Sequence, residues 1–446
     1  MAENDIRMNS QATPQRFRTV LWNRHSFCMR SLSDQQIHCV IAFNGHIDEN
    51  RMARAARLTL DAEPILGCRF VERWWRPYWE KLNDLDHMKF WRMQEGEDPR
   101  RATMSFITRP MEPLEGPQVH LLLIRSETDT LVVKMNHMAA DVGGTKEYVY
   151  LLASIYRRLL EDPAYSPNPN IRGRSSLTQI SKRLTLAQKF KILRLYRSEQ
   201  AQGRRARPWG HWEFPPAEGT ASPYTVAIRR IGPERFGAIK KYGQDHEATV
   251  NDVVIAAFCR AVCSLLNPPP GVRLRLPTTV DLRRYLPSGR AEAICNLVGT
   301  AFVDIIRDSG ATLDDTVHSV RDQMNSKKAN YVGLPYLAVL ALGSKGRPFR
   351  IMCSQYRLSH DRAVKKREIE PFFTNLGVID GEQLAFGGVK VTDAYLVAPM
   401  YYPPRFAIAV CGFGESLTLS FGVCQEAITL SAVEDFLDRL EEELPK

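Results

Sequence analysis

Segments with a two-residue hydrophobic period and segments with a period near 3.6 alternate through most of this chain, and few folds accept that order. Gln36 to Asn44 is apolar and partly alternating, and Asp48 to Leu66 then places Met52, Ala55, Ala56, Leu58 and Leu60 at helical spacing. Val119 to Arg125 and Thr130 to Met135 predict a hairpin turning at Glu127-Thr128-Asp129. A helix with Tyr148, Leu151, Leu152, Ile155 and Leu159 on one face follows it and ends before Pro163. In the second half, strands are predicted at Tyr224 to Ile231, Arg273 to Val280, Val298 to Ile306, Val389 to Leu396, Phe406 to Cys411 and Leu417 to Val423. Helices are predicted at Pro233 to Gln244, Val250 to Leu266, Leu313 to Lys328 and Ser431 to Leu444. Thr249 caps the second of these, which is apolar on most faces and therefore expected to be buried. Ser431-Ala432-Val433-Glu434 reads as a capping box for the last. Strands and helices interleaved in both halves mean mixed sheets packed against helices, an α/β or α+β class.

A chain of 446 residues with 44% hydrophobic residues has the length and composition for two cores. Residues 1–16 are polar where a secretory signal would be apolar, and are expected to form a disordered leader. Residues 17–162 then make an N-terminal subdomain and 217–446 a C-terminal one. Between them, 163–216 is rich in Pro, Asn, Ser and Arg and is expected to be a basic linker with one helix, around Leu184 to Tyr196. The longest apolar stretches, such as Val253 to Phe258 and Leu334 to Leu342, fall well short of the ~20 residues a membrane-spanning helix needs. Nine cysteines stand singly without a CxxC pair, which predicts reduced thiols in a cytoplasm. Cys259 and Cys263 have no second Cys/His pair of matching spacing and are expected in the core; no metal site is expected.

The formal net charge is +10, with basic residues concentrated in Arg172 to Arg207. No nucleic-acid-binding signature accompanies them, so no nucleic acid is expected as partner. An acidic carrier protein, a phosphorylated cofactor such as coenzyme A, or an anionic membrane surface explains the charge equally well.

The strand over Thr130 to Met135 runs into Asn136-His137-Met138-Ala139-Ala140-Asp141-Val142-Gly143-Gly144, which leads into a helix. A His at a strand-to-loop transition is well placed for function, and neutral imidazole takes a proton from an alcohol or amine near neutral pH. Asp141 can orient the loop by an ion pair or a backbone hydrogen bond. Gly143 and Gly144 allow a tight turn and are expected to leave room for a bulky thioester. A His followed four residues on by Asp also marks ordinary surface turns, and a metal reading lacks a third ligand.

The run Val132 to Gly144 resembles the HxxxD motif of the superfamily that joins chloramphenicol acetyltransferase, plant acyl-CoA-dependent acyltransferases, wax ester synthases and the condensation domains of nonribosomal peptide synthetases. Four more segments resemble that superfamily in type and order: Gly45 to Phe70, Ala248 to Ala257, Val280-Asp281-Leu282-Arg283 with Cys295 to Gly299, and Thr374-Asn375-Leu376-Gly377. The resemblance covers nearly the whole chain. It implies two subdomains in a V with the HxxxD loop in a tunnel between them, and an ion pair of Asp141 with Arg283 that locks the loop presenting His137. Asn136 stands where condensation domains usually carry a second His, and the plant D-F-G-W-G segment is missing, Cys411-Gly412-Phe413-Gly414 being a faint echo. A free-standing bacterial-style or fungal-style enzyme fits better.

The implied activity is transfer of an acyl group from a thioester, on coenzyme A or on a carrier-protein phosphopantetheine arm, to a hydroxyl or amine of a small-molecule acceptor. The donor thioester is a substrate, and no tightly bound cofactor is expected. His137 is the expected base, with Asp141 and Arg283 supporting it. Asn136, Gly143, Gly144, Asn296 and Asn375 are expected to contact substrate. No Ser or Cys nucleophile motif is present, so no covalent acyl-enzyme is required. Two other readings stay open: a catalytically silent or repurposed condensation-fold docking module, and a basic nucleic-acid-binding protein. Asp281 and Arg284 are expected to be solvated and His360 to lie on the surface. Tyr401-Tyr402-Pro403-Pro404 reads equally as acyl-pocket lining or as a rigid turn.

Overall fold

The computed structural model describes residues 13–218, 223–308 and 310–446. The first half runs β1 (Arg16–Arg18), α1 (Leu21–Cys28), β2 (Gln36–Phe43), α2 (Glu49–Ala62), β3 (Cys68–Val71), β4 (Tyr78–Lys81), β5 (Trp91–Glu95), α3 (Pro99–Thr108), β6 (Val119–Arg125), β7 (Asp129–Asn136) and α4 (Val142–Glu161). Two helices follow, α5 (Thr178–Ser181) and α6 (Leu186–Gly203). Next come β8 (Tyr224–Ile231), α7 (Pro233–Asp245), α8 (Val250–Leu266), β9 (Arg273–Asp281), β10 (Val298–Ile306), α9 (Leu313–Lys328), α10 (Leu334–Gly343) and α11 (Phe349–Lys366). The chain closes with β11 (Glu370–Ile379), β12 (Val391–Val397), β13 (Arg405–Phe413), β14 (Ser416–Cys424) and α12 (Leu430–Glu442).

The hairpin of β6 and β7 is present, and β7 pairs on its other side with β2, so a five-stranded sheet of order β12-β2-β7-β6-β5 forms. The inward residues Ile37, Cys39, Ile41, Leu121, Leu123, Val133 and Met135 pack against α2 and α4 residues such as Met52 and Leu152. A six-stranded sheet of order β10-β9-β11-β13-β14-β8 makes the second core with α8, α9 and α12. Helix α8 is buried on nearly all sides, as its composition predicts, and Thr249 with Asp252 forms its capping box. A three-stranded sheet, β1-β4-β3, stands apart.

The chain departs from a simple two-part division. Strand β12 lies far into the C-terminal half in sequence, yet it pairs antiparallel with β2 and edges the N-terminal sheet, Ala394 opposite Ile41 and Leu396 opposite Cys39. The two sheets are therefore tied by the segment between β11 and β13, and the N-terminal unit is not contiguous in sequence. The leader expected over 1–16 falls on residues outside those described as far as residue 12, and Arg16 already belongs to β1. The linker holds two helices where one was expected, and the longer runs to Gly203. Helix α12 starts at Leu430 because Thr429 caps it, accepting the amide N–H of Ala432. That start places Val433, Phe436, Leu437 and Leu440 on the core, and no capping box forms at Ser431.

Candidate active site

Strand β7 delivers its last residue, Asn136, opposite Gln36 of β2, and the chain then turns. The Asn136 side-chain oxygen accepts the amide N–H of Met138 at 2.9 Å, and its carbonyl accepts those of Ala139 and Ala140. His137 donates its own amide to Gln35 O at 2.9 Å. The turn projects the part-buried imidazole with Nδ1 3.1 Å from Ala140 O and 3.0 Å from Asn296 Oδ1. Asn296 spends its amide nitrogen on His137 O and Met138 O, which leaves its oxygen to face the ring. Two acceptors at Nδ1 require the proton there, so Nε2 carries the lone pair. Burial holds the imidazole pKa below its ordinary 6.5, although Asp141 and the ring's hydrogen bonds oppose that, and the neutral form prevails at neutral pH.

Asp141 does not touch the ring. It caps α4 by accepting Gly144 N at 2.8 Å, and it also accepts Leu297 N at 2.6 Å. The Arg283 guanidinium lies 3.0 Å from it. Arg283 is 4% exposed and reaches Glu147 at 3.0 Å, Cys295 O at 3.0 Å and Asp281 at 3.3 Å. Burial works to raise the Asp141 pKa, but the Arg283 charge wins and holds it below the usual carboxylate range. Burial also works to lower the Arg283 pKa, and Asp141, Glu147 and Asp281 together keep it well above normal. Glu147 is pushed up by burial despite Arg283. One cation thus ties the start of α4 to the segment after β9 and the segment before β10.

The glycines serve this packing. A Cβ on Gly143 would overlap the Arg283 guanidinium, and one on Gly144 would come within 2.7 Å of Cys295 O. Gly143 also lines the cavity at His137, whereas Gly144 is buried and contacts backbone where substrate contact was expected. Asn136, also expected to touch substrate, is a buried residue that shapes the turn. Asn296 is buried and orients His137. Asn375 alone of the three asparagines lines the cavity, at a bulge in β11, with its side chain bridging Gly377 N and Asn251.

The cavity at His137 has a volume of about 70 Å³ and is lined from both halves, by Val142 and Lys146 on one side and Thr279, Thr374 and Asn375 on the other. Strands β9 and β11 pair only at Thr278 and Phe373, and their sheet opens there, with the Thr279 and Thr374 hydroxyls 2.7 Å apart. Tyr401 lines the same cavity, while Tyr402 to Arg405 form a turn closed by the Arg405 amide on Tyr402 O at 3.1 Å. A cleft of about 630 Å³ adjoins it through the shared residues Gly143, Lys146 and Asp281. Sequence reasoning missed Glu147 and Lys146. Glu147 stands four residues after Gly143, one helical turn along α4, and that spacing was the available signal. Sequence reasoning also missed Asn23 of α1, whose side-chain amide donates to Met138 O at 2.7 Å and braces the turn from behind. Among the described residues, no group of three or more His, Cys, Asp or Glu side chains gathers to hold a metal ion, and no single helix is long and apolar enough to cross a membrane.

No family model matches the chain, and no curated protein matches it in sequence. Solved structures do match in fold. A trichothecene 15-O-acetyltransferase from Fusarium sporotrichioides superposes with a TM-score of 0.71 at 15% identity, covering 96% of this chain and 94% of its own. The first condensation domain of the calcium-dependent antibiotic synthetase gives 0.70 at 15% identity, over 98% and 96%. Polyketide synthase associated protein 5 from Mycobacterium tuberculosis gives 0.66 at 16% identity, over 96% and 97%. The chain has the two-subdomain mixed α/β fold that these acyltransferases and condensation domains share, with His137 at the junction of its halves.

Proposed function

We propose that the protein is an acyltransferase or condensation enzyme that moves an acyl group from a thioester to a hydroxyl or amine, with His137 as general base. The observation that supports this best is the ring's orientation. Nδ1 is occupied by two carbonyl oxygens, so the basic Nε2 is the nitrogen left for a substrate proton in a cavity lined by both halves. Nε2 takes the proton from the acceptor as its oxygen or nitrogen bonds to the thioester carbonyl carbon. The tetrahedral intermediate then collapses, the carbon–sulfur bond breaks, and the imidazolium returns its proton to the leaving thiolate. Asp141 and Arg283 position the turn and take no part in the proton transfer. The donor is a thioester on coenzyme A or on a carrier-protein arm.

The test is incubation of the purified protein with a panel of acyl thioesters and acceptors, reading free thiol. Acceptor-dependent release that His137→Ala abolishes supports the proposal. Release that is independent of acceptor would point to thioester hydrolysis instead of transfer, and no release with any donor favours a docking module on the same fold.

A further inference from the structure

Away from the site, the loop joining β3 to β4 exposes two adjacent tryptophans, Trp74 at 59% and Trp75 at 47%, between Arg73 and Arg76. Their carbonyls accept the amide N–H groups of Arg350 and Phe349, both at 3.2 Å, which fastens the loop to the first turn of α11. The same corner exposes Leu342 at the end of α10 and Ile351 in α11. Helix α10 contains no charged residue and commits only Leu334, Pro335 and Leu337 to the core. Beside it, a cavity of about 210 Å³ opens between α10 and α11, lined in part by Tyr336, Leu340, Arg347 and Met352.

Charge at this corner is one-sided. Residues 72–77 and 342–358 carry Arg73, Arg76, Lys345, Arg347, Arg350 and Arg357 against a single carboxylate, Glu72. All six cations are exposed, and none forms an ion pair among the described residues. We infer that this corner docks the protein on an anionic lipid bilayer, the Trp74–Trp75 loop and the α10–α11 turn entering the headgroup layer. Tryptophan prefers that depth, where its ring is apolar and its N–H stays wet. Arginine and lysine lay their stems along apolar surface while their charges meet lipid phosphates. Cations interleaved with exposed apolar tips, with one carboxylate among them, suit this boundary.

Vesicle co-sedimentation of the full chain tests this, with pure phosphatidylcholine against mixed phosphatidylcholine–phosphatidylglycerol vesicles at low and high salt. Partition to the mixed vesicles should exceed that to the neutral ones by about tenfold and fall as salt rises. Trp74→Ala with Trp75→Ala should lose about tenfold in partition with unchanged melting and elution volume, because both side chains are exposed. Lys345→Glu with Arg350→Glu should abolish the preference for anionic vesicles, and this variant decides the matter where the tryptophan variant fails to fold. Equal partition to both vesicle types, or undiminished binding by both variants, would overturn the inference. So would a tryptophan-dependent dimer, or tryptophan-dependent capture of an acidic carrier protein, without vesicle binding.

Discussion

Arg283 lies 3.0 Å from Asp141 across 142 residues of sequence, and both side chains are buried. Removing one partner of such a pair strands the other charge and costs on the order of 3–5 kcal/mol. Arg283→Ala should therefore melt lower and lose activity together, because it also abandons Glu147. Asp141→Asn, which keeps a cap oxygen for Gly144, should lose less. A melting midpoint for Arg283→Ala equal to that of the parent would show that the network contributes no stability. The Asp141 pKa is depressed in the folded state, so its contribution is present above the unfolded value and is lost as pH falls through the folded one.

His137→Ala should lose ~10²–10⁴-fold in turnover while melting like the parent, since the ring is part-buried and its loss leaves the Asp141–Arg283 pair intact. Thiol release and a thermal melt on the same preparation check both halves. Because burial lowers the imidazole pKa, the acid limb of kcat/KM for the parent should have its midpoint below the 6.5 of an ordinary imidazole.

Asn296→Asp replaces the neutral acceptor at Nδ1 with a carboxylate. An anion beside imidazole favours the protonated form, so the acid limb of kcat/KM should move to higher pH. Asn296→Ala should instead lower kcat by releasing the ring, with KM little changed. An unshifted limb for Asn296→Asp would mean that residue 296 does not set the state of His137.

Gly144→Ala meets the backbone carbonyl of Cys295, which cannot rotate away as a side chain would. Overpacking of this kind costs about 1–3 kcal/mol. A urea melt should register the loss. Gly143→Ala presses on the Arg283 guanidinium and should lower activity as well as stability, because that guanidinium holds the turn.

The sequence by itself marked many of the local elements and the turn that carries His137. Periodicity marked β2, β6, β7, β8, α4, α7 and α8, because each shows its neighbours one consistent face or none that is polar. The pairing of Asp141 with Arg283 was available through resemblance, and the geometry agrees. Periodicity carried nothing about α10, which is apolar on every side, or about α11, which is polar on most. Only the tertiary structure decided that β12 edges the N-terminal sheet, since a strand's partner is set by packing far along the chain. It also decided that Asn296 orients His137 and that Gly144 yields to a carbonyl. Hydrogen-bond direction and close approach are properties of neighbours in space, and residue spacing along the chain does not encode them.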